Sequence, residues 1–436
     1  MFINSDSEAN DKSADPISPE LLPRTSAVTD SGELSIGGVM VSEMVQNFGT
    51  PLFIYDEEHL RQNIAEAKAS FPGGTAYASK AFLCKAMAEL ISEYGVNIDV
   101  SSMGEMYIAL HSGIPAGNIV LHGNNKSLDE INFAVRNGIK IIVDSFDEIN
   151  NLESLLADAK LKCRVLIRVT PGVEAHTHEF IKTGHEDSKF GFPLGEDMAT
   201  LAIERLRSIP GVDLLGLHNH IGSQIFELQP YAEAMAVVAP MVQKYDFSEL
   251  CVGGGLGVAY MANEHAPSIS QWADLVMRAA QDVGIAKDVS ITSEPGRSIV
   301  AQAAITCYRV GTIKRVPQVR TYLAVDGGMS DNPRPVLYGS GYEVFLPSDI
   351  RAERQARVRV VGKHCESGDI LVANATVPDS VKVGDIIATP VTGAYGYSMA
   401  SHYNRLQRPA VVFVRDNDVR LVCRRESLED LLRFDV

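Results

Sequence analysis

Ala76-Tyr77-Ala78-Ser79-Lys80-Ala81 is a short run of small and β-prone residues that follows Gly73-Gly74 and carries a lysine at its end. It reads as a strand with an amine at its exit, and residues 81 to 94 beyond it have a helical pattern. The same unit then repeats. Apolar, β-branched runs recur at 97 to 101, 118 to 122, 139 to 144, 163 to 170, 213 to 220, 249 to 253 and 289 to 294. Helical patterns at 103 to 112, 127 to 137, 147 to 159, 196 to 208, 229 to 244 and 269 to 283 lie between them. Such alternation implies a parallel sheet with helices outside it. Eight units over about 240 residues predict an α/β fold of the closed (β/α)8 TIM-barrel type rather than an open doubly wound sheet.

Working outward, residues 57 to 70 read as a further helix with Leu60, Ile64 and Ala67 on its apolar face, behind the strand-like Pro51-Leu52-Phe53-Ile54-Tyr55. After Ile305 helical periodicity fades, and runs such as Thr321 to Val325, Val358 to Val361 and Ala410 to Val414 alternate with Gly and Asp turns. That texture predicts an all-β domain at the C-terminal end. The expected division is a barrel over 57–310 and a β domain over 311–436 joined by 36–56. Residues 1–35 hold Asp6, Glu8, Asp11, Asp15, Glu20 and Asp30 with Ser and Pro between, so they are expected to be an acidic mobile leader without the basic start of an export signal.

Composition limits the partners. The 436 residues are 45% hydrophobic, and no apolar run approaches the roughly 20 residues that span a bilayer. With 55 acidic residues against 39 basic ones, the net charge of −16 repels nucleic-acid phosphates. Neither nucleic acid nor membrane is an expected partner. Six scattered cysteines without paired short spacing indicate neither a disulfide framework nor a zinc site, and point to a cytoplasmic location. Cys163, Cys251, Cys307 and Cys423 lie in strand-like surroundings and read as buried thiols; Cys365, between His364 and Glu366 and before Ser367-Gly368-Asp369, does not.

In a barrel, chemistry sits where strands end at the C-terminal face. Lys80, Asp99, His122, Asp144, Arg168, His220, the glycines after Val252, and Glu294 all fall at or just past a predicted strand end. A lysine among small neighbours there is expected to be desolvated, which lowers the amine pKa toward the nucleophilic range. Val252-Gly253-Gly254-Gly255-Leu256-Gly257 lets backbone amides converge on an anion, though a plain glycine turn fits the same letters. Glu294-Pro295-Gly296-Arg297 at the next strand end adds donors, a carboxylate and an arginine, so the two strand ends can share one phosphate. A carboxylate such as Glu294 keeps a nearby aromatic ring nitrogen protonated, which turns a phosphate site into a cofactor site. His218 and His220 leave two readings open, a ring laid flat on the cofactor or core and metal-ligating histidines; no acidic or cysteine partner at ligand spacing supports a metal, and none is expected.

Together, Tyr77 to Lys80, Thr183-Gly184 through Asp187-Ser188-Lys189-Phe190-Gly191, His220-Ile221-Gly222-Ser223-Gln224, Gly253 to Gly255, Glu294 to Arg297, Asp326-Gly327-Gly328-Met329-Ser330-Asp331-Asn332-Pro333-Arg334-Pro335, Cys365 to Asp369 and Gly393-Ala394-Tyr395-Gly396 resemble the diaminopimelate decarboxylase family. That family belongs to the fold-type III pyridoxal-phosphate enzymes, alongside alanine racemase. The resemblance runs in order from about residue 45 to the C-terminus. One departure is His402, where the family more often has Asn.

What the resemblance implies is decarboxylation of meso-2,6-diaminopimelate to L-lysine with pyridoxal 5'-phosphate. Lys80 would hold the cofactor as an imine, His220 would stack on its ring, and Glu294 would pair with the ring nitrogen, with Asp99 and Pro295 nearby. Ser223, Gly255, Gly296, Arg297 and Tyr395 would hold the phosphate. Arg297, Arg334 and Tyr338 would take the distal carboxylate and Glu366 the distal ammonium, with Tyr395 also among the substrate-binding residues, Cys365 as the acid that returns a proton to Cα and Lys80 as the other candidate. Cys365 and Glu366 would enter from a second subunit, which implies a homodimer. Competing readings are a related decarboxylase acting on ornithine, arginine, carboxynorspermidine or a carrier-bound amino acid, an alanine-type racemase, and a non-catalytic binding homologue.

Overall fold

The computed structural model describes residues 15–157, 160–173 and 188–436. The acidic residues Asp6, Glu8 and Asp11, the last residues expected in the 147 to 159 helix, and Thr183, Gly184 and Asp187 lie outside the described residues. The chain forms two compact units. One comprises Leu60–Val258 and His265–Ala301; the other comprises the described part of Met1–His59 with Ala259–Glu264 and Gln302–Val436.

The first unit is the eight-stranded barrel. Strands Ala76–Ala78, Asn97–Val100, Ile119–Leu121, Lys140–Val143, Cys163–Thr170, Val212–His218, Glu249–Cys251 and Ser290–Thr292 pair in parallel in chain order. The ends meet: Thr75 bridges Ser293, and the Ala76 N–H donates to the Ser293 carbonyl at 2.8 Å. Helices between the strands start on serine caps at Ser102, Ser127, Ser145 and Ser268, each accepting from the N3 amide.

Side chains alternate across each strand, and the register aligns one face of all of them. That face is layered. At the floor, Lys140 Nζ lies 2.6 Å from Glu249 Oε2. Above it Val120, Ile142, Leu166 and Cys251 form a buried apolar layer. Gly216 belongs to the same level because nothing larger fits: a Cβ there would lie 1.7 Å from the Glu249 carbonyl. Two residues further along the strands, at the C-terminal face, come Asp144, Arg168, His218 and Glu294. The polar residues seen at strand ends in the sequence are therefore one continuous surface on an apolar base.

The second unit is built on a mixed sheet in the order Ile370–Val377, Ala356–Val361, Arg320–Val325, Ala304–Val316, Leu52–Asp56, Ala410–Arg415, Asp418–Cys423, with Ile386–Pro390 also paired to Ala304–Val316. Leu52–Asp56 is central, antiparallel to Ala304–Val316 and parallel to Ala410–Arg415. Residues 15–35, expected to be mobile, are packed. Ile17, Leu21, Leu22 and Leu34 are buried, Ala27–Val28 pairs with Leu34–Ile36, and Thr25 donates from its N–H and its hydroxyl to Asp56 at 2.9 Å. Four apolar side chains spaced among the acids outweigh the charge that suggested a free leader. Cys423, expected to be buried, is partly exposed because it lies on the edge strand Asp418–Cys423.

Candidate active site

At the barrel mouth Lys80 sits in a short 3-10 turn, Ser79–Ala81, immediately after the first strand. That strand is laced to the Glu294 loop, because the Ala78 N–H donates to the Pro295 carbonyl at 3.1 Å and a Cβ at Gly296 would meet Ala78 Cβ at 2.9 Å. Lys80 acts electrostatically on both Asp99 and His220, which places its amine among the rim residues. The expected desolvation does not occur: Lys80 is exposed, since the small residues around it leave its long stem open to solvent. Its chemistry must come from neighbouring charge and from what binds there rather than from burial.

Glu294 is the buried centre. His218 Nε2 lies 2.9 Å from one carboxylate oxygen, and His122 Nε2 lies 2.9 Å from the other, close but out of line for a good hydrogen bond. Burial works against the Glu294 charge, yet the two imidazoles outweigh it and hold the carboxyl well below the usual range. Burial pushes Asp99 the other way, up to about 6. His218 is driven down to about 4 by burial and stays neutral. Burial also disfavours charge on His122, but Asp99 and Glu294 together raise its pKa. The sequence offered no acidic partner for His218 and His220, and the fold brings Glu294 to a different pair: the ligand atoms of His122, His218 and Glu294 lie within 4.8 Å of one another. The imidazoles turn their nitrogens onto the carboxylate.

His220 is held apart from that cluster. Its Nδ1 accepts from the Gly254 N–H at 3.2 Å, and burial, followed by the charges of Lys80 and Arg168, keeps it neutral. The glycine loop is drawn close on both sides. Glu294 N–H donates to the Gly253 carbonyl at 2.7 Å, and a Cβ at Gly255, whose φ is +101°, would fall 2.2 Å from the Gly222 carbonyl. Ser223 Oγ receives Nη2 of Arg297 at 3.0 Å, so this arginine and serine form one corner of the rim. Arg168 approaches Asp144 at 3.8 Å and stacks on Phe190 at 4.3 Å.

The other predicted residues belong to the second unit. Arg334 is buried in an aromatic cage, its guanidinium carbon 4.0 Å from the Tyr260 ring centre and 5.4 Å from that of Tyr342, to whose hydroxyl Nη1 donates. Its Nε has no acceptor, and among the described residues no carboxylate figures in its environment. Burial disfavours the Arg334 charge, but the tyrosines more than compensate. Tyr338 ends the same short helix, Arg334–Tyr338, and Tyr395 has a left-handed φ of +61°. Cys365 and Glu366 are exposed on a loop braced from behind: His364 Nε2 lies 2.9 Å from Ser330 Oγ, Asn404 Oδ1 accepts the Cys365 N–H at 3.1 Å, and the Tyr403 hydroxyl donates to Glu366 at 3.4 Å. His402, the one departure noted in the sequence, pairs with Glu426 at 2.7 Å on the surface.

Sequence reasoning missed Tyr260, Tyr342, Ser330 and Asn404, and gave His122 and His218 no role toward Glu294. The strand parity linking His122 to Asp144 and Arg168 was the available signal for the histidine; nothing local marks Tyr260 as a neighbour of Arg334.

Comparisons with known proteins agree with this geometry. Residues 57–301 match the family model for the pyridoxal binding domain of pyridoxal-dependent decarboxylases. A diaminopimelate decarboxylase of Synechocystis sp. is 43% identical over 449 residues, covering 96% of this chain and 94% of that protein. One from Mycobacterium tuberculosis is 41% identical over 440 residues, covering 96% and 98%. The crystal structure of diaminopimelate decarboxylase from M. jannaschii in complex with L-lysine superposes with a TM-score of 0.87 at 30% identity, covering 95% of this chain and 98% of that one. Alike along nearly its whole length in both sequence and fold, the chain belongs to the diaminopimelate decarboxylase family of pyridoxal-dependent decarboxylases.

Proposed function

We propose that this protein binds pyridoxal 5'-phosphate at the barrel mouth and decarboxylates meso-2,6-diaminopimelate to L-lysine and carbon dioxide. The site's donors fit that cofactor. Among the described residues the amides of Gly255 and Gly296 donate to no backbone acceptor, and neither glycine carries a Cβ of its own to stand over its amide, which suits a phosphate. Lys80 offers an exposed amine at the same rim, and Glu294 offers an ionised carboxylate for a ring nitrogen. When bound, the cofactor supplies an electron sink for the bond that breaks at Cα.

The chain's own residues divide the remaining work. Lys80 would hold the cofactor and carry a proton to or from Cα. His220, neutral and pinned through Nδ1, presents a ring face. Glu294 would face a positive ring nitrogen, with Asp99 and Pro295 at that end of the site, and Ser223 with Arg297 would border the phosphate. Arg334 carries the substrate assignment: a buried guanidinium with an idle Nε and aromatic walls calls for a planar anion such as a distal carboxylate, which ornithine and arginine lack. Tyr338, Tyr395 and Arg297 would assist it. Glu366 would bind the distal ammonium, and Cys365 would protonate Cα, both reaching the site of a second copy in a homodimer. Their exposure in the single chain supports that arrangement. A cytoplasmic location accords with free cysteines and with the absence, among the described residues, of a helix long and apolar enough to cross a membrane.

The deciding experiment is carbon dioxide release by the purified chain with added pyridoxal 5'-phosphate, offered meso-diaminopimelate, ornithine, arginine or carboxynorspermidine in parallel. Turnover of the first with little of the others is expected. Preference for any of the other three would overturn the assigned substrate.

A further inference from the structure

Glu294 stands in a loop two residues past the strand Ser290–Thr292, with glycines approaching it from Gly254 on one side and Gly296 following on the other. A Cβ at Gly254 would fall 2.1 Å from the Glu294 backbone carbonyl, so that approach fixes the main chain rather than the carboxylate. The restraint comes from elsewhere. His218 closes the strand Val212–His218, His122 follows Ile119–Leu121, and the two rings meet edge to face with centres 5.0 Å apart. Nε2 of each lies 2.9 Å from a different oxygen of Glu294, in line for a hydrogen bond from His218 and as a close charge contact from His122, and all three side chains are buried. His218 Nδ1 is buried with no partner, as a ring whose single proton sits on Nε2 allows.

We propose that His122 and His218 are positioning residues that hold Glu294 in one plane and in its ionised form for the ring nitrogen of the cofactor. The proposal rests on the cofactor reading given above and assigns these histidines a part in it. They are not equivalent. His122 lies between two carboxylates, Glu294 and Asp99, the latter at 3.7 Å, with Arg168 and His218 as its other charged or titratable neighbours. It supplies positive charge. His218 faces Glu294, His122 and Arg168 and supplies a neutral N–H. Glu294 itself is reached by both histidines, and without them its burial would favour the protonated acid, which cannot stabilise a cationic ring nitrogen.

The test uses the dissociation constant of pyridoxal 5'-phosphate, read from its visible absorbance band on the purified chain between about pH 6 and pH 9, which needs no turnover. His218→Leu removes a donor and His122→Leu a positive charge, whereas His218→Gln returns an N–H near the Nε2 position and His122→Gln returns no charge. Each leucine variant is expected to bind the cofactor about tenfold or more weakly at the acid end, one pKa unit of Glu294 being a factor of ten, with the deficit shrinking as pH rises. His218→Gln should stay near the wild-type profile, His122→Gln, which restores no positive charge, should follow its leucine variant, and Glu294→Gln should be weak at every pH. Should a leucine variant fail to fold, His→Asn, which sets its N–H at the Nδ1 position, replaces it with the same expectation. Leucine variants with the wild-type profile, or His218→Leu and His218→Gln impaired alike, would overturn the proposal. A wild-type chain with no visible band would sink the cofactor reading and this proposal together.

Discussion

Lys140 and Glu249, 109 residues apart in the chain, meet at 2.6 Å across the floor of the barrel, each opening a strand and each largely shielded from water. An ion pair so enclosed is costly to break from one side, because the remaining charge loses its partner without regaining solvent. Lys140→Met should therefore lower unfolding free energy by about 3–5 kcal/mol, and Lys140→Met combined with Glu249→Leu should recover most of it. Urea unfolding of both variants measures the difference. A single variant as stable as the double one would show that the pair is not enclosed in solution.

Lys80→Ala removes the exposed amine at the rim while leaving Glu294, His220 and the glycine loop in place. The visible band of bound pyridoxal 5'-phosphate should vanish and turnover should fall by about a thousandfold or more. Absorbance spectra and carbon dioxide release on the same preparation check both.

Arg334→Ala empties the tyrosine cage. KM for diaminopimelate should rise about a hundredfold, the equivalent of about 2.7 kcal/mol of lost charge-assisted bonding, while the cofactor affinity stays within about twofold. Arg334→Lys should recover little, since an ammonium cannot match a carboxylate with two parallel bonds. Loss of cofactor with KM unchanged would contradict the assignment.

Acid should weaken the fold through two buried histidines. Burial takes His59 down to about 3 and His218 to about 4. Below about pH 6.5 the unfolded chain binds protons that these folded side chains refuse, so stability present above that pH is lost as pH falls toward 4, by about 1.4 kcal/mol per pH unit for each. Asp99, pushed up to about 6, runs in the opposite sense, since its contribution is present in acid and lost as pH rises through that value. Asp331, pushed up by burial to about 7, runs with Asp99, so the histidine contribution is read from a variant rather than from the total. Between pH 7 and pH 5, His59→Gln, outside the barrel, should lose less stability than the wild-type chain, as measured by urea midpoints.

The barrel was legible because its signal is local: each run of β-branched residues is bounded by a helix of ordinary period, and every strand and helix expected among the described barrel residues is found within a few positions. Lys80, Asp99, His220 and Glu294 were legible for the same reason, since a strand end can be read from its own letters. Partnership was not. His122 and Glu294 touch across the whole barrel, and Lys140 and Glu249 read as solvated charges until parity with Ile142 and Cys251 turns them inward. Residues 15–35 misled through composition, because six acids in and before that stretch obscure four leucine and isoleucine side chains that find a core. Exposure at Lys80 escaped as well, since the identity of its neighbours says nothing about the space above them.

The apolar layer of Val120, Ile142, Leu166 and Cys251 stands between the Lys140–Glu249 pair beneath it and the Asp99, His122 and Glu294 cluster above it. The charges that brace the base and those that set ionisation at the mouth therefore occupy separate compartments of one barrel, and the lower set can be exchanged for hydrocarbon without leaving an unpaired charge among the upper.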